Sequence, residues 1–498
     1  MELKKYFNSE GDDAKAAIHS GLYNWLIKER ALSIGALVSC LLICLSISFL
    51  TVKVHWVLPI VIVAAVIGGP FIISAMFKPK VGVYLMIFIS VFMSVLLKLL
   101  SGIPIGLVMD FTILCMMLGM LYRCYLSRDW SIFHTPITIP IVLWAAYNVL
   151  EFANPIASSR VAWFYVVRPV VGYIQIFFIT YGILKTPTQL KNILVFLLCM
   201  SSISGIWGLY QYFFGYFDFE MRHIIRNDAV HLVFIQGRWR SFGTMGSPAH
   251  YGIVMAYMSI VGFLMLRLKF HWLLKVCLVI MALCCFGGMI YAGARSAYAV
   301  LPIAGACIVG LSKSVKMYVL AVIAGIGLFI VIIMPTNNYH IKRIQSTFNA
   351  SEDKSYLERQ HNRDRIKPWI LKHPIGGGLG STGVWGGRFS PGSFLASFPP
   401  DSGYVRVAVE TGWIGLIIYL FLWANLLIKG AWGYFFNMKD PELKTIALCI
   451  IVIIFPLAVV ELAQEILVKL PSNFLFWIYV AILFRAIEMD KEKQNQAS

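Results

Sequence analysis

Runs of about twenty consecutive apolar residues recur along almost the whole 498-residue chain, and no other feature constrains its fold so tightly. Each run is long enough for a helix to cross a hydrocarbon core of about 30 Å. In lipid the backbone must satisfy its own hydrogen bonds, which leaves helices or closed barrels. The runs are continuous rather than alternating, so the expectation is an all-α polytopic membrane protein. Only 13% of the residues are charged and 59% are hydrophobic, whereas a soluble domain carries about 25% charged residues.

About fourteen spans are expected, near 31–52, 55–77, 81–100, 105–126, 134–152, 162–184, 190–214, 248–266, 271–291, 296–312, 315–335, 403–428, 443–464 and 472–487. Residues 1–30 are polar and amphipathic, show no cleavable signal pattern and read as a cytoplasmic arm. The chain then divides into N-terminal transmembrane helices (31–214), a transmembrane core with a first outer loop (215–335), a large outer loop (336–402), C-terminal helices (403–487) and a cytoplasmic tail (488–498). The cysteines, such as Cys40, Cys44, Cys284 and Cys285, lie in apolar runs without metal-ligand spacing and read as packing residues.

The net charge of +18 accompanies no soluble domain on which a nucleic-acid groove could form. It sets orientation instead. With the N-terminus inside, the short inner connections carry Lys78, Lys80, Arg123, Arg128, Lys185, Lys191, Arg267, Lys269, Lys275, Lys313, Lys316, Lys429, Lys439 and Lys444, as the positive-inside rule requires. That register puts the two longest connections, 215–247 and 336–402, outside, and both are rich in arginine. The first holds Arg222, Arg226, Arg238 and Arg240; the second holds Arg343, Arg359, Arg363, Arg365 and Arg388. Arg295 adds to them from a short outer turn, and Arg160 and Arg168 lie at the outer end of the sixth span. The planar guanidinium fork binds phosphate oxygens in pairs where lysine offers only a point charge. An anionic phosphate ligand at the outer surface is the expectation. Arg168 lies roughly 12 Å along the helix from Arg160, a depth at which ionisable residues usually face a polar cavity.

The motifs sit in these connections. Gly237-Arg238-Trp239-Arg240-Ser241-Phe242-Gly243-Thr244 leads to Pro248, which suits a first helical turn. Tyr291-Ala292-Gly293-Ala294-Arg295-Ser296 is a small-residue turn with an arginine at a helix start, where backbone N–H groups also favour anions. In the large loop, residues 353–372 read as an amphipathic helix interrupted near Pro368, and His373-Pro374-Ile375-Gly376-Gly377-Gly378-Leu379-Gly380 as a flexible turn. The loop returns through Asp401-Ser402-Gly403-Tyr404 towards Glu410-Thr411-Gly412. Its length marks it as functional. Trp239, Trp385 and Phe394 are candidates for stacking on sugars.

The order of these motifs resembles the O-antigen ligase and polymerase superfamily of bacterial membrane proteins. The resemblance runs from about 205 to 430: the glycine-arginine segment at 237–248, the turn at 293–297, Arg359 fourteen residues before the His-Pro-Ile-Gly turn at 373–380, and the segment 401–416. It implies a bundle like those of the GT-C glycosyltransferases with one large extracytoplasmic loop. It also implies a metal-independent inverting transferase without cofactor, in the inner membrane, with both termini cytoplasmic and the site outside. The donor would be an undecaprenyl-pyrophosphate-linked glycan and the acceptor another glycan or a lipid, with a chain-length regulator as a possible further partner and no nucleic acid. Arg238 or Arg240, Arg295 and Arg359 match the positions that hold the donor pyrophosphate, and Arg160, Arg168 and Arg365 join them as substrate-binding candidates.

The pattern departs from the family at one position. Many members, ligases especially, carry a histidine where this chain has Asp401. That favours a polymerase, or a ligase with a different base, and makes Asp401 a candidate base, although an aspartate opening a helix is also an ordinary N-cap. Glu410, within the twelfth span, and Arg295 complete the catalytic candidates. His361 and His373 are alternatives for the base. Asp110 lies in span four, and Glu461 and Glu465 are expected one turn apart on one helix face, Glu465 as a partner for the outer arginines. A flippase for the same lipid-linked glycan is the rival reading, but no matching halves are visible. The 376–380 glycines lack the Lys-Ser/Thr of a nucleotide loop.

Overall fold

The computed structural model describes residues 75–100, 104–235, 237–312, 315–348 and 354–497, all within the larger of the two compact units into which the chain divides, 72–498. The cytoplasmic arm, the first span and nearly all of the second lie outside the described residues.

From there the chain is helical. In order come α1 (Pro79–Leu99), α2 (Ile105–Ser127), α3 (Thr138–Leu150), α4 (Arg160–Val171), α5 (Gln175–Ile183), α6 (Pro187–Phe214), α7 (Asp218–Arg226) and α8 (Val230–Val233). A two-strand hairpin of β1 (Phe234–Ile235) and β2 (Arg238–Trp239) follows. Then come α9 (Pro248–Met265), α10 (Trp272–Ala292), α11 (Arg295–Leu311), α12 (Val315–Ile333), α13 (Tyr339–Phe348) and α14 (Lys354–Lys372). The chain closes with α15 (Gly383–Phe389), α16 (Gly403–Glu410), α17 (Gly412–Trp432), α18 (Pro441–Val460) and α19 (Ser472–Ala497). Among the described residues nine helices are long and apolar enough to cross a membrane, and three shorter apolar ones lie at Thr138–Ala153, Arg295–Leu311 and Ala321–Ile333. The chain is an all-α polytopic membrane protein.

Local chemistry sets the helix ends. α6 opens with a capping box, Thr186 with Gln189, and with Pro187 in its first turn. Pro248 starts α9, as its position in the sequence indicates. Pro169 lies within the last turn of α4, and a 3₁₀ turn at Gly172–Ile174 connects α4 to α5. α9, α18 and α19 form the centre of the bundle, with Tyr251, Tyr257 and Tyr479 wholly buried. Apolar side chains such as Ile139, Phe214 and Phe329 point outward. On a soluble protein so much exposed apolar surface would drive association; against acyl chains it is the stable arrangement.

Several elements differ from the sequence reading. The expected span 403–428 is two helices, broken at Thr411–Gly412, where Gly412 has φ +70°. The helix 353–372 is not interrupted: α14 passes through Pro368. Its last turn is held by a small core of Ile366, Leu395, Phe398 and Val409, against which Trp369 packs. In the 373–380 turn, expected to be flexible, residues 376–380 are buried and tied to the bundle by hydrogen bonds. Gly377 and Gly378 donate backbone hydrogen bonds to the carbonyls of Val409 (2.9 Å) and Glu410 (2.8 Å), and the Asn154 amide donates to Ile375 O at 2.9 Å. Gly376 and Gly412 sit so close that a Cβ on either would meet the other's backbone. α18 ends at Val460, so Glu461 and Glu465 do not share a helix face but lie on the turn that follows. α19 continues past residue 487, where Asp490 accepts hydrogen bonds from the backbone of Lys439 (2.8 Å) and Asp440 (2.7 Å).

The connections gather at two ends. At one, the basic short connections bond to one another: Lys191 to Glu442 (2.9 Å), Lys493 to Asp440 (2.6 Å), Lys429 to Pro136 O (2.6 Å) and Arg485 to Leu184 O (2.8 Å). The twenty residues of α18 lead from that end to the other, about 30 Å away. There the connections 215–247, 293–296 and 336–402 meet.

Candidate functional site

At that second end lies a cavity of about 1500 Å³. Its walls carry Lys98 of α1, Arg240 after the hairpin, Arg295 at the start of α11, Arg343 of α13, Arg359 of α14 and Lys469 of the turn after α18. Glu465 is the carboxylate among its lining residues, and Arg406 already holds it in a short ion pair. Two helix starts also face the cavity, Ser247–His250 of α9 and Ala294–Ser296 of α11. Neither is capped by the side chain of its N-cap residue. Cations and helix N-termini converging on one space make a site for a multiply charged anion.

The protein's own contacts hold Arg240, Arg343, Arg359 and Lys98 in place. The hairpin, turning at Gly237, carries Arg240 back over the end of α10, where its Nε donates to Ala292 O (2.9 Å) and Nη1 to Leu232 O (3.3 Å). Arg343 Nε donates to the next carbonyl, Gly293 O (3.1 Å). Burial, with the neighbouring Arg343 guanidinium, pulls Arg240 down to about 10, which leaves it charged at neutral pH. Arg359 Nη1 donates to Ala463 O (3.1 Å). Lys98 lies over the Phe242 ring, 4.5 Å from its centroid. It also faces Glu220, a wholly buried acid that accepts from Trp207 (3.1 Å) and Gln211 (2.8 Å). Burial raises the Glu220 carboxyl above the usual range, while Trp207 and Lys98 oppose the shift.

A second, smaller pocket of about 220 Å³ adjoins the first, and Arg359 and Ala463 line both. Asp401 lies in the smaller one. Its Oδ1 is 4.0 Å from Arg359 Nε, and the Asn362 amide donates to its Oδ2 at 3.5 Å. Asp401 is not the cap of α16: Ser402 takes that position, its Oγ accepting from Val405 N at 3.5 Å.

The candidates from sequence therefore separate. Arg240, Arg295 and Arg359 line the large cavity, and Asp401 is next to Arg359. Arg238 lies in the exposed strand β2, outside the lining. Arg168 pairs with Asp110 (2.9 Å). Arg160 lies 5.9 Å from the centroid of Phe152, and Arg365 lies 5.3 Å from that of Phe394. Glu410 is buried, accepting from Thr382 Oγ1 (2.7 Å) and pairing with Arg406 Nε (3.2 Å). The chain Glu410–Arg406–Glu465 clamps the turn 461–470, which His250 also holds through the carbonyl of Glu465 (3.1 Å). His373 stacks on Trp369. Lys98 and Lys469 escaped the sequence reading, although lysines at the outer ends of apolar runs run against the positive-inside pattern and were visible as such. Among the described residues no cluster of His, Cys, Asp and Glu could hold a metal ion.

The cavity wall from Arg295 to Arg359, together with Asp401, falls within one continuous stretch that has recognisable relatives. Residues 280–420 match the O-antigen ligase family. The match runs from the middle of α10 into α17 and so covers the large connection, Arg359 and Asp401, and the Arg406–Glu410 pair. It supports glycan transfer of the O-antigen ligase and polymerase type, with a lipid-linked glycan and an acceptor as substrates. A comparison with curated proteins finds no match. Arg240 lies outside the O-antigen ligase segment, yet the hairpin brings it to the same cavity.

Proposed function

We propose that the protein is a polymerase of undecaprenyl-pyrophosphate-linked oligosaccharides, working on the outer face of the bacterial inner membrane. The observation that carries this is the cavity in which Arg240, Arg295, Arg343 and Arg359 converge beside Asp401. The donor pyrophosphate lies among these guanidinium groups and against the starts of α9 and α11. The acceptor hydroxyl, on a second lipid-linked glycan, attacks the anomeric carbon from the side opposite the pyrophosphate. As its oxygen bonds to that carbon, its proton passes to the Asp401 carboxylate. The carbon–oxygen bond to phosphate breaks, the electron pair leaves with undecaprenyl pyrophosphate, and the configuration inverts. Charge grows on the leaving oxygen, where fixed cations contribute most.

Ligation to a lipid or protein acceptor uses the same donor site. The acid at 401, where many ligases have histidine, favours polymerisation. The test supplies purified protein in nanodiscs with the lipid-linked oligosaccharide as the only substrate. A ladder of glycan lengths with release of undecaprenyl pyrophosphate supports polymerisation. Product that forms only when a different acceptor is added supports ligation. Movement of intact substrate across a liposome bilayer without pyrophosphate release would favour a flippase.

A further inference from the structure

We infer that the smaller pocket beside Asp401 binds a single sugar ring, the terminal residue of the acceptor glycan. The inference rests on the transferase reading for its role, but the pocket has its own geometry. At about 220 Å³ it is smaller than the roughly 300–1,000 Å³ of sites for drug-sized ligands. It has room for one ring and not for an oligosaccharide.

Its lining is two-faced in the way a pyranose is. Asn362, Arg363 and Asp401 supply donors and acceptors for hydroxyl groups, while Pro399 and Leu462 offer an apolar wall to the C–H face. Leu462 lines the pocket and is 59% exposed. The Asn362 amide reaches Asp401 at 3.5 Å, a weak contact that a sugar hydroxyl would replace at ordinary length. Arg359 is the shared wall. A ring seated here puts a hydroxyl against Asp401 and leaves it one side chain away from the anion cavity, so the two substrates meet across Arg359. The pocket is cationic on balance, with Arg359 and Arg363 against Asp401, and acidic rings are held more tightly than neutral ones.

The test uses the full-length protein and three probes: methyl glucoside, methyl N-acetylglucosaminide and methyl glucuronoside. Saturation-transfer NMR reads their binding, and calorimetry with inorganic pyrophosphate reads the large cavity. At least one glycoside binds wild type, and binding persists when pyrophosphate is saturating. Asn362→Ala weakens it about fivefold, the worth of one hydrogen bond. Leu462→Trp, which fills the pocket from an exposed position, abolishes it while pyrophosphate affinity stays within twofold. In transfer assays Leu462→Trp raises the acceptor KM with little change in kcat. The inference is overturned if no glycoside binds, if Leu462→Trp binds it normally, or if pyrophosphate displaces the sugar. Sugar binding without pyrophosphate binding would keep this pocket and remove the transferase reading.

Discussion

Arg359 faces two spaces at once, with Nη1 on Ala463 O and Nε near Asp401, and the consequences of changing it differ from those of changing its neighbours. Arg359→Ala removes a fixed charge from the leaving-group side, and transfer falls by about a hundred- to a thousandfold, the usual cost of one electrostatic donor. Arg359→Lys restores charge but not the fork, and recovers only part of that loss. Asp401→Asn keeps the shape and removes the proposed base; the rate falls by about a hundred- to ten-thousandfold while pyrophosphate binding is retained. Calorimetry beside single-turnover rates separates the two outcomes. At this scale the sequence was informative where a residue type stood out against its surroundings. Arginines in small-residue turns pointed to Arg240 and Arg295, and the resemblance singled out Arg359 by its place fourteen residues before the 373–380 turn. Arg238 is two residues from Arg240 with the same chemistry, and only the hairpin decides which of them turns inward. The partner of Arg168, Asp110 on a different helix, was not legible either, because pairing across helices has no signature in one chain.

Among the elements, the paired breaks at Gly376 and Gly412 and the buried Glu410–Arg406–Glu465 chain join the large connection to the bundle. Arg406→Leu takes the guanidinium from between Glu410 and Glu465, and a broken buried pair costs about 3–5 kcal/mol; thermal unfolding in detergent reads this as a lowered midpoint. Gly412→Ala forces a Cβ into the Pro374 carbonyl at a left-handed φ. It lowers the midpoint through about 1–3 kcal/mol of strain, and added pyrophosphate does not restore it. Helix positions were readable because hydrophobic runs and proline starts are local. The breaks at residues 411 and 461 were not, because each depends on contacts made elsewhere: Gly376 against Gly412, and Ser402 and Gly403 donating to Glu461 O.

Across the whole molecule, the basic short connections and the arginine-rich long ones occupy opposite ends, with α18 leading from one to the other. On the positive-inside rule, we propose that the cavity faces the outside. Val384→Cys, at a position 77% exposed in the long connection, reacts with a membrane-impermeant maleimide on intact spheroplasts. Lys491→Cys, near the end of α19, reacts only after permeabilisation, with the parent protein as the background. The opposite pattern would put the site in the cytoplasm. The central claim is that the arginine cavity holds a lipid-linked pyrophosphate during glycan transfer. It is tested most directly by incubating wild type, Arg295→Ala and Arg359→Ala with an undecaprenyl-pyrophosphate-linked oligosaccharide and quantifying released undecaprenyl pyrophosphate. Release by wild type, lost in both variants though each remains folded, is the predicted result; equal release by all three would contradict it.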